Sequence, residues 1–303
     1  MNNLIEIDKS VQEALSLKKP IVALESTLIS HGLPFPDNIK VAEQSIMAVQ
    51  DNGAIAATIG IINGKIKIGL SNEDIKILAK DKNVQKVSNH NFSLSVYKKQ
   101  NASTTVASTL SIASMLNIKF FATGGIGGVH INADKTYDVS ADLYSLSENA
   151  NFVICSGAKS ILDLNKTYEL LETLSIARIG YKTNYMPGFW YQETNNKVDN
   201  NFEQISEICS YLKLNDEINK NKSILIFNKV PKDNALKKEN VDNWIKISIK
   251  KANKNNIHGK ELTPFLINEI NKESNDLTLK ANISLIINNA ELAGKLSKEY
   301  FSS

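Results

Sequence analysis

Lys159 stands in Gly157-Ala158-Lys159-Ser160, just after the apolar run Phe152-Val153-Ile154-Cys155. An amine at the end of a buried strand, among small and apolar groups, can have its pKa lowered and act as a nucleophile toward a carbonyl carbon. The alternative is a surface lysine whose stem lies on apolar neighbours and whose head stays in water. Glu25 follows Ile21-Val22-Ala23-Leu24 in the same manner, a location suited to general acid/base work or to capping a helix. Thr123-Gly124-Gly125-Ile126-Gly127-Gly128-Val129-His130 follows Phe120-Phe121-Ala122. Glycines after a strand let backbone amides approach an anion closely, or they form a tight turn with positive φ at one or two of them. No Gly-Lys-Ser/Thr closes the loop, and no clear helix follows it as a dinucleotide fingerprint requires. Asp138 and Asp142 are four apart. They offer hard oxygens to Mg²⁺ or Mn²⁺, or Asp138 or Ser140 caps a helix beginning near Asp142. Lys86 can meet a phosphate as a point charge or mark an edge strand. His31 and His130 lie in glycine-containing loops and can contact a substrate or bond locally. Together these residues describe an enzyme acting on a small phosphorylated substrate.

The elements that must hold them alternate between short apolar strands and helices. Strands are expected at 21–24, 54–62, 65–69, 84–87, 120–123, 151–155, 177–181 and 224–227. Asn63-Gly64 predicts a hairpin between the second and third of these. Helices are expected at 11–17, 38–52, 104–116, 141–149, 161–173, 241–253 and 264–272, with another starting at Ser71-Asn72-Glu73-Asp74 with Ser71 as its N-cap, and a long one over 277–300 interrupted near Asn288-Asn289. The Asn/Lys-rich stretches 194–204 and 214–223 read as surface loops. The pattern predicts a three-layer α/β/α fold with a mostly parallel, mixed sheet, formed by 1–303 as a single domain.

The chain has 303 residues, 42% hydrophobic and 22% charged, with net charge +3. That length supports a substantial core, and so small a charge does not imply attraction to nucleic acid. Cys155 and Cys209 cannot form a disulfide framework and point to a reducing compartment. The N-terminus has no basic start leading into a long apolar run, and no segment approaches the roughly 20 apolar residues of a membrane span. A cytoplasmic, soluble protein is expected.

The motifs Ala23-Leu24-Glu25-Ser26-Thr27, Thr104-Thr105-Val106-Ala107, Gly124 to His130, Ser140-Ala141-Asp142, Gly157-Ala158-Lys159-Ser160-Ile161-Leu162-Asp163 and Gly259-Lys260-Glu261-Leu262-Thr263-Pro264 occur in one order. In that order the chain closely resembles the pseudouridine-5′-phosphate glycosidases, the indigoidine-synthase-A-like family. The resemblance is strongest up to Tyr181 and again after Gly259. It implies reversible cleavage of the C–C glycosidic bond of pseudouridine 5′-phosphate to uracil and ribose 5-phosphate, in pseudouridine catabolism. It further implies a divalent metal, typically Mn²⁺, and a homotrimer. By this resemblance Lys159 is the Schiff-base lysine and Glu25 the proton donor. Asp138 binds the metal. Lys86, Val106, Ser140, Ala141 and Asp142 contact substrate, and His130 and Asn282 are polar pocket residues. Three departures stand out: Asn89-His90-Asn91 where the family carries a basic pair and an aspartate, Asn228-Lys229-Val230-Pro231 in place of Asn-Pro before the central Pro, and a loosely matching 185–190. The competing readings are a Schiff-base enzyme on another sugar phosphate and a catalytically idle nucleotide-binding homologue.

Overall fold

A computed structural model describes residues 4–219, 222–257 and 262–302. The sheet has strands β1 (Ile5–Ile7), β2 (Ile21–Leu24), β3 (Ile55–Ile62), β4 (Lys65–Ile68), β5 (Gln85–Val87), β6 (Ala102–Thr104), β7 (Phe120–Ala122), β8 (Phe152–Cys155), β9 (Ala177–Tyr181), β10 (Asn200–Phe202) and β11 (Ile224–Phe227). Its order is β1-β4-β3-β2-β7-β8-β11-β9-β10, with β6 added to β3 and β5 to β6. The run from β3 to β10 is parallel throughout, and the antiparallel pairs are β3 with β4 and β3 with β6. The sheet is therefore mixed and mostly parallel, as expected. Asn63-Gly64 makes the hairpin turn with positive φ at both residues, as a primed two-residue turn demands.

The central strands are apolar on both faces because both are covered. Ala23, Phe121, Val153, Leu225 and Phe227 face one layer of helices. These are α1 (Lys9–Ser16), α5 (Val106–Met115), α7 (Ala141–Glu148), α8 (Leu164–Thr173), α10 (Lys238–Lys254) and α11 (Leu262–Glu273). Val22, Phe120, Phe152 and Ile224 face α2 (Asp37–Asp51), α9 (Ile205–Ile218) and the last half of α12 (Leu277–Ser302). Phe120 and Phe152 meet edge to face at 5.2 Å. Among the smaller helices, α3 (Asn72–Lys80) starts at Ser71 with a capping box to Asp74, as expected of Ser71. The others are α4 (Phe92–Tyr97) and α6 (Ala133–Thr136).

Several expectations are corrected. The long C-terminal helix is unbroken at Asn288-Asn289. The Asn289 side chain is fully buried and hydrogen-bonded to three other elements, so tertiary contacts outweigh its poor helix propensity. Helix α8 begins at Leu164 rather than residue 161, because Lys159 to Leu162 form a turn closed by Leu162 N–H to Lys159 O, Ala158 and Leu162 bridge to the glycine loop, and Asp163 caps the helix. The supposed loops 194–204 and 214–223 contain β10 and the end of α9. Many of their polar residues are exposed, although Thr194 and Ser223 are buried, and α9 sends Ile208 and Leu212, which lie between the two stretches, into the core. No helix among the described residues is long and apolar enough to cross a membrane.

Candidate active site

In an open parallel sheet, ligands meet the carboxyl ends of the strands. Glu25 leaves β2 there, Thr123 and the glycine loop leave β7, and Ser156 to Lys159 leave β8. Just past β2 the chain turns through a π-helical segment, Leu28–Gly32, where a loop was expected, and this carries His31. These strand ends open into one cavity with two lobes. The wide lobe, about 710 Å³, is lined by Val106, His130 and Asp138 together with Ser140, Ala141 and Asp142. The narrow lobe, about 70 Å³, is lined by Phe189, Trp190, Asn282 and Ile286. Glu25, His31, Lys86 and Lys159 line both. Every residue that the resemblance assigned to the site thus lines the same cavity. Of the segment Gly259-Lys260-Glu261-Leu262-Thr263-Pro264, the first three residues lie outside the described residues, while Thr263 and Pro264 line both lobes.

The electrostatics follow from two lysines and a buried acid sharing that space. Burial pushes the Glu25 carboxyl above the usual carboxylate range. Lys159, a hydrogen bond from the Thr123 hydroxyl to Glu25 Oε1, and Lys86 oppose this, while Asp142 reinforces it. Lys86 is exposed along its length, yet its ammonium is pushed below its ordinary value by burial and then by Lys159. The two facts agree if the amine lies inside a cavity mouth that water still reaches along the stem. His130 is pushed down by burial, opposed by Asp138 with Nδ1 3.8 Å from the carboxylate. It is therefore neutral at neutral pH. Burial likewise lowers His31.

The glycine loop does not work as a positive-φ turn: none of its four glycines has positive φ. Nor are its amides generally open to an anion. Ile126 N–H donates to Gly157 O, Gly127 N–H to Asp142 Oδ2 at 2.8 Å, and Val129 N–H to Thr167 Oγ1. The glycines are needed for close approach. A Cβ at Gly127 would collide with Ser140 Oγ and sit 2.8 Å from Asp142 Oδ2, and one at Gly125 would sit 2.7 Å from Phe189 Cδ2.

Asp142 is the loop's clamp. Its two oxygens accept from Ala107 N–H at the start of α5 and from Gly127 N–H, and it is 6% exposed. Ser140, not Asp138, caps α7 by accepting from Asp142 N–H. Asp142 is therefore committed to protein amides. Asp138, 37% exposed at its side chain, is the carboxylate free to face the wide lobe. Among the described residues no three His, Cys, Asp or Glu side chains gather as a metal cage. One exposed carboxylate beside a neutral imidazole fits a divalent ion that keeps most of its water, as Mg²⁺ and Mn²⁺ do, better than a dehydrated one.

Of the departures from the family pattern, Asn89-His90-Asn91 lies at the wide lobe, which His90 and Asn91 line. Asn89 bridges Ser145 and Ser111, and Asn91 accepts from Ser88 N–H and donates to Lys86 O, fixing the backbone that carries Lys86. Phe189 and Trp190 wall the pocket, which sequence reasoning did not foresee. Their only signal is the aromatic pair beside Pro187 and Gly188, and Phe189 adopts φ 67° there. Cys155 is a core residue whose thiol burial pushes up to about 12, which leaves it inert.

Comparison with known proteins agrees with this geometry. Residues 10–299 match the family model described as indigoidine synthase A like protein. Proteins named pseudouridine-5′-phosphate glycosidase from Petrotoga mobilis, Staphylococcus aureus and Escherichia coli are 45%, 44% and 42% identical. Each alignment covers 98% of this chain and 97%, 97% and 96% of the relative. Among solved structures, the prealnumycin C-glycosynthase AlnA in complex with ribulose 5-phosphate superposes with a TM-score of 0.91 at 30% identity, covering 99% of this chain and 97% of that one. An indigoidine synthase A-like protein from Thermotoga maritima gives 0.88 at 31%, covering 98% and 97%.

Proposed function

Because the chain belongs to the indigoidine synthase A like family, we propose that it is a pseudouridine-5′-phosphate glycosidase. It cleaves the C–C glycosidic bond of pseudouridine 5′-phosphate, reversibly, to uracil and ribose 5-phosphate. The observation that carries the reading is the convergence of Lys159, Glu25 and Lys86 on a cavity of about 710 Å³, the size of a nucleotide site. A carbon leaving group has no heteroatom to protonate, so the residues must create an electron source at C1′. The Lys159 amine attacks C1′, the C1′–O4′ bond breaks, and Glu25 gives its proton to O4′. The Glu25 carboxylate takes the proton from the resulting C1′ ammonium and delivers it to C5, so the nitrogen regains its lone pair. That lone pair then forms the C1′=N bond as the C1′–C5 bond breaks, and the C1′–C5 electron pair restores the C5=C6 bond of uracil. Water adds to the iminium carbon and Lys159 departs, leaving ribose 5-phosphate. The net change consumes one water.

Burial of Glu25 suits this role, since a carboxyl with raised pKa holds its proton nearer neutral pH. Lys86 is assigned to the phosphate or ribose, and Asn282, at the narrow lobe among Phe189 and Trp190, to the uracil edge. Val106, Ser140, Ala141 and His130 line the wide lobe, and Asp142 holds the glycine loop to the start of α5. Asp138 would hold one divalent ion, Mn²⁺ or Mg²⁺, which would add positive charge for an anionic substrate. Incubation with pseudouridine 5′-phosphate and Mn²⁺ is expected to release uracil, measured by chromatography. Chelation is expected to lower the rate and added Mn²⁺ to restore it. A folded protein that releases no uracil removes the reading.

The reading includes a cytoplasmic homotrimer. Two buried, unpaired cysteines suit a reducing compartment. The exposed Tyr97, Met115 and Tyr137 offer apolar surface for subunit contact. Secretion of the protein would remove the first part, and a monomeric mass by sedimentation the second.

A further inference from the structure

The strand ends β7, β8 and β11 are fastened together behind the cavity by one side chain. Asn289 of α12 is fully buried. Its Nδ2 donates to Thr123 O at 2.9 Å and to Gly124 O at 3.3 Å, and lies 3.1 Å from Ser156 Oγ. Its Oδ1 accepts from Asn228 Nδ2 at 3.1 Å. Asn289 stands where α12 passes from packing on one face of the sheet, through Ala281 and Leu285, to packing on the other, through Ala290 and Ala293. Thr123 is thereby held by its carbonyl from behind, while its hydroxyl donates forward to Glu25 Oε1. It is 3% exposed and lines the cavity.

We infer that Thr123, fixed by Asn289, is a positioning residue that orients the Glu25 carboxyl and sets when it carries its proton. This rests on the assignment of Glu25 as the proton donor. The physical reason is that a hydroxyl can donate to an ionised carboxylate, and such a bond favours the ionised form. The other groups facing Glu25 are Lys159 beyond β8 and Lys86 on β5, which also favour ionisation, and Asp142 on α7, which opposes it. His31 and His130 line the same cavity and are depressed, so they contribute little charge at neutral pH. Removal of the Thr123 donor leaves burial less opposed, and the carboxyl keeps its proton to higher pH. The bond also fixes which oxygen of Glu25 faces the cavity, since Oε1 is occupied by Thr123.

The test is the titration of Glu25 itself, followed by NMR of protein labelled with ¹³C at the glutamate side-chain carboxyl. The resonance is identified by its loss in Glu25→Gln. In Thr123→Val the midpoint is expected to rise, and in Thr123→Ser, which keeps the hydroxyl, to return toward wild type. The limb of the kcat/KM profile that falls with rising pH should move upward in Thr123→Val alone, with plateau kcat reduced by no more than about tenfold. If Thr123→Val does not fold, Thr123→Ala carries the same comparison. An unchanged midpoint in the variant lacking the hydroxyl overturns the inference, as does a serine variant that fails to restore it. Absence of uracil release from wild type would count against the proposed reaction and leave the NMR comparison standing.

Discussion

Lys159→Ala is expected to abolish uracil release, by at least about 10⁴-fold, or roughly 5.5 kcal/mol of barrier. No other group in the assigned mechanism supplies the electron pair that expels a carbon leaving group. The substitution should leave the fold intact, because the side chain is half-buried at the cavity and the structural bonds of this residue are made by its backbone, N–H to Ile126 O and O from Leu162 N–H. Lys159→Arg should be as inactive, since guanidinium stays protonated and cannot attack. Binding of ribose 5-phosphate should survive in Lys159→Ala, weakened but measurable by calorimetry, because Lys86 remains. Uracil release from Lys159→Ala at more than about a hundredth of the wild-type rate would remove covalent catalysis by this lysine.

Glu25→Gln is expected to lower kcat by about 10²–10⁴-fold, the usual contribution of a positioned proton donor. It should do so without loss of stability. The folded-state pKa of Glu25 is raised, so the wild type binds this proton more tightly when folded than when unfolded. As pH rises above the ordinary carboxylate value, the unfolded chain ionises freely while the buried carboxyl resists, and wild type loses stability that Glu25→Gln keeps. The variant's melting temperature at neutral to alkaline pH should therefore equal or exceed that of wild type. An inactive variant with a much lower melting temperature would show instead that Glu25 is a structural acid. In wild type, kcat should fall as pH rises through the raised pKa, because the protonated form is the donor.

Much of this site is legible in the sequence because the central strands announce themselves. Ile21–Leu24, Phe120–Ala122, Phe152–Cys155 and Ile224–Phe227 are wholly apolar, which only a sheet covered on both faces explains. The residues just past the carboxyl end of such a strand lie at the rim of the cavity, so local sequence places Glu25, the glycine loop and Lys159. Asp142 shows the limit. Its spacing from Asp138 is as consistent with a shared metal as with a clamp, and only the fold brings Ala107 N–H and Gly127 N–H to its oxygens. The glycines illustrate the same point. Their composition suggests freedom of φ, whereas what they answer is a collision with Ser140 and Phe189, residues 13 and 64 positions away from Gly127 and Gly125. Propensity makes Asn289 a helix breaker, because it carries no knowledge of the strand ends that need its amide. Short strands such as β6 and β10 give no signal, because three residues of which two are polar fit a loop equally well.

Two lysines face the cavity, and they make the central claim testable against a specific rival. Lys86 is the one whose ammonium is depressed by burial and by its neighbour, so it too could present a neutral amine. Lys159 is assigned because it stands in the Gly157-Ala158-Lys159-Ser160 motif of the resemblance and acts on Glu25 more strongly than Lys86 does. Incubation of the protein with ribose 5-phosphate and sodium borohydride, followed by peptide mass spectrometry, reads which amine forms the imine. The expected result is one reduced five-carbon sugar phosphate per subunit, on the peptide containing Lys159, and none in Lys159→Ala. A trapped sugar on Lys86, or active enzyme that traps none, would contradict the assignment of Lys159.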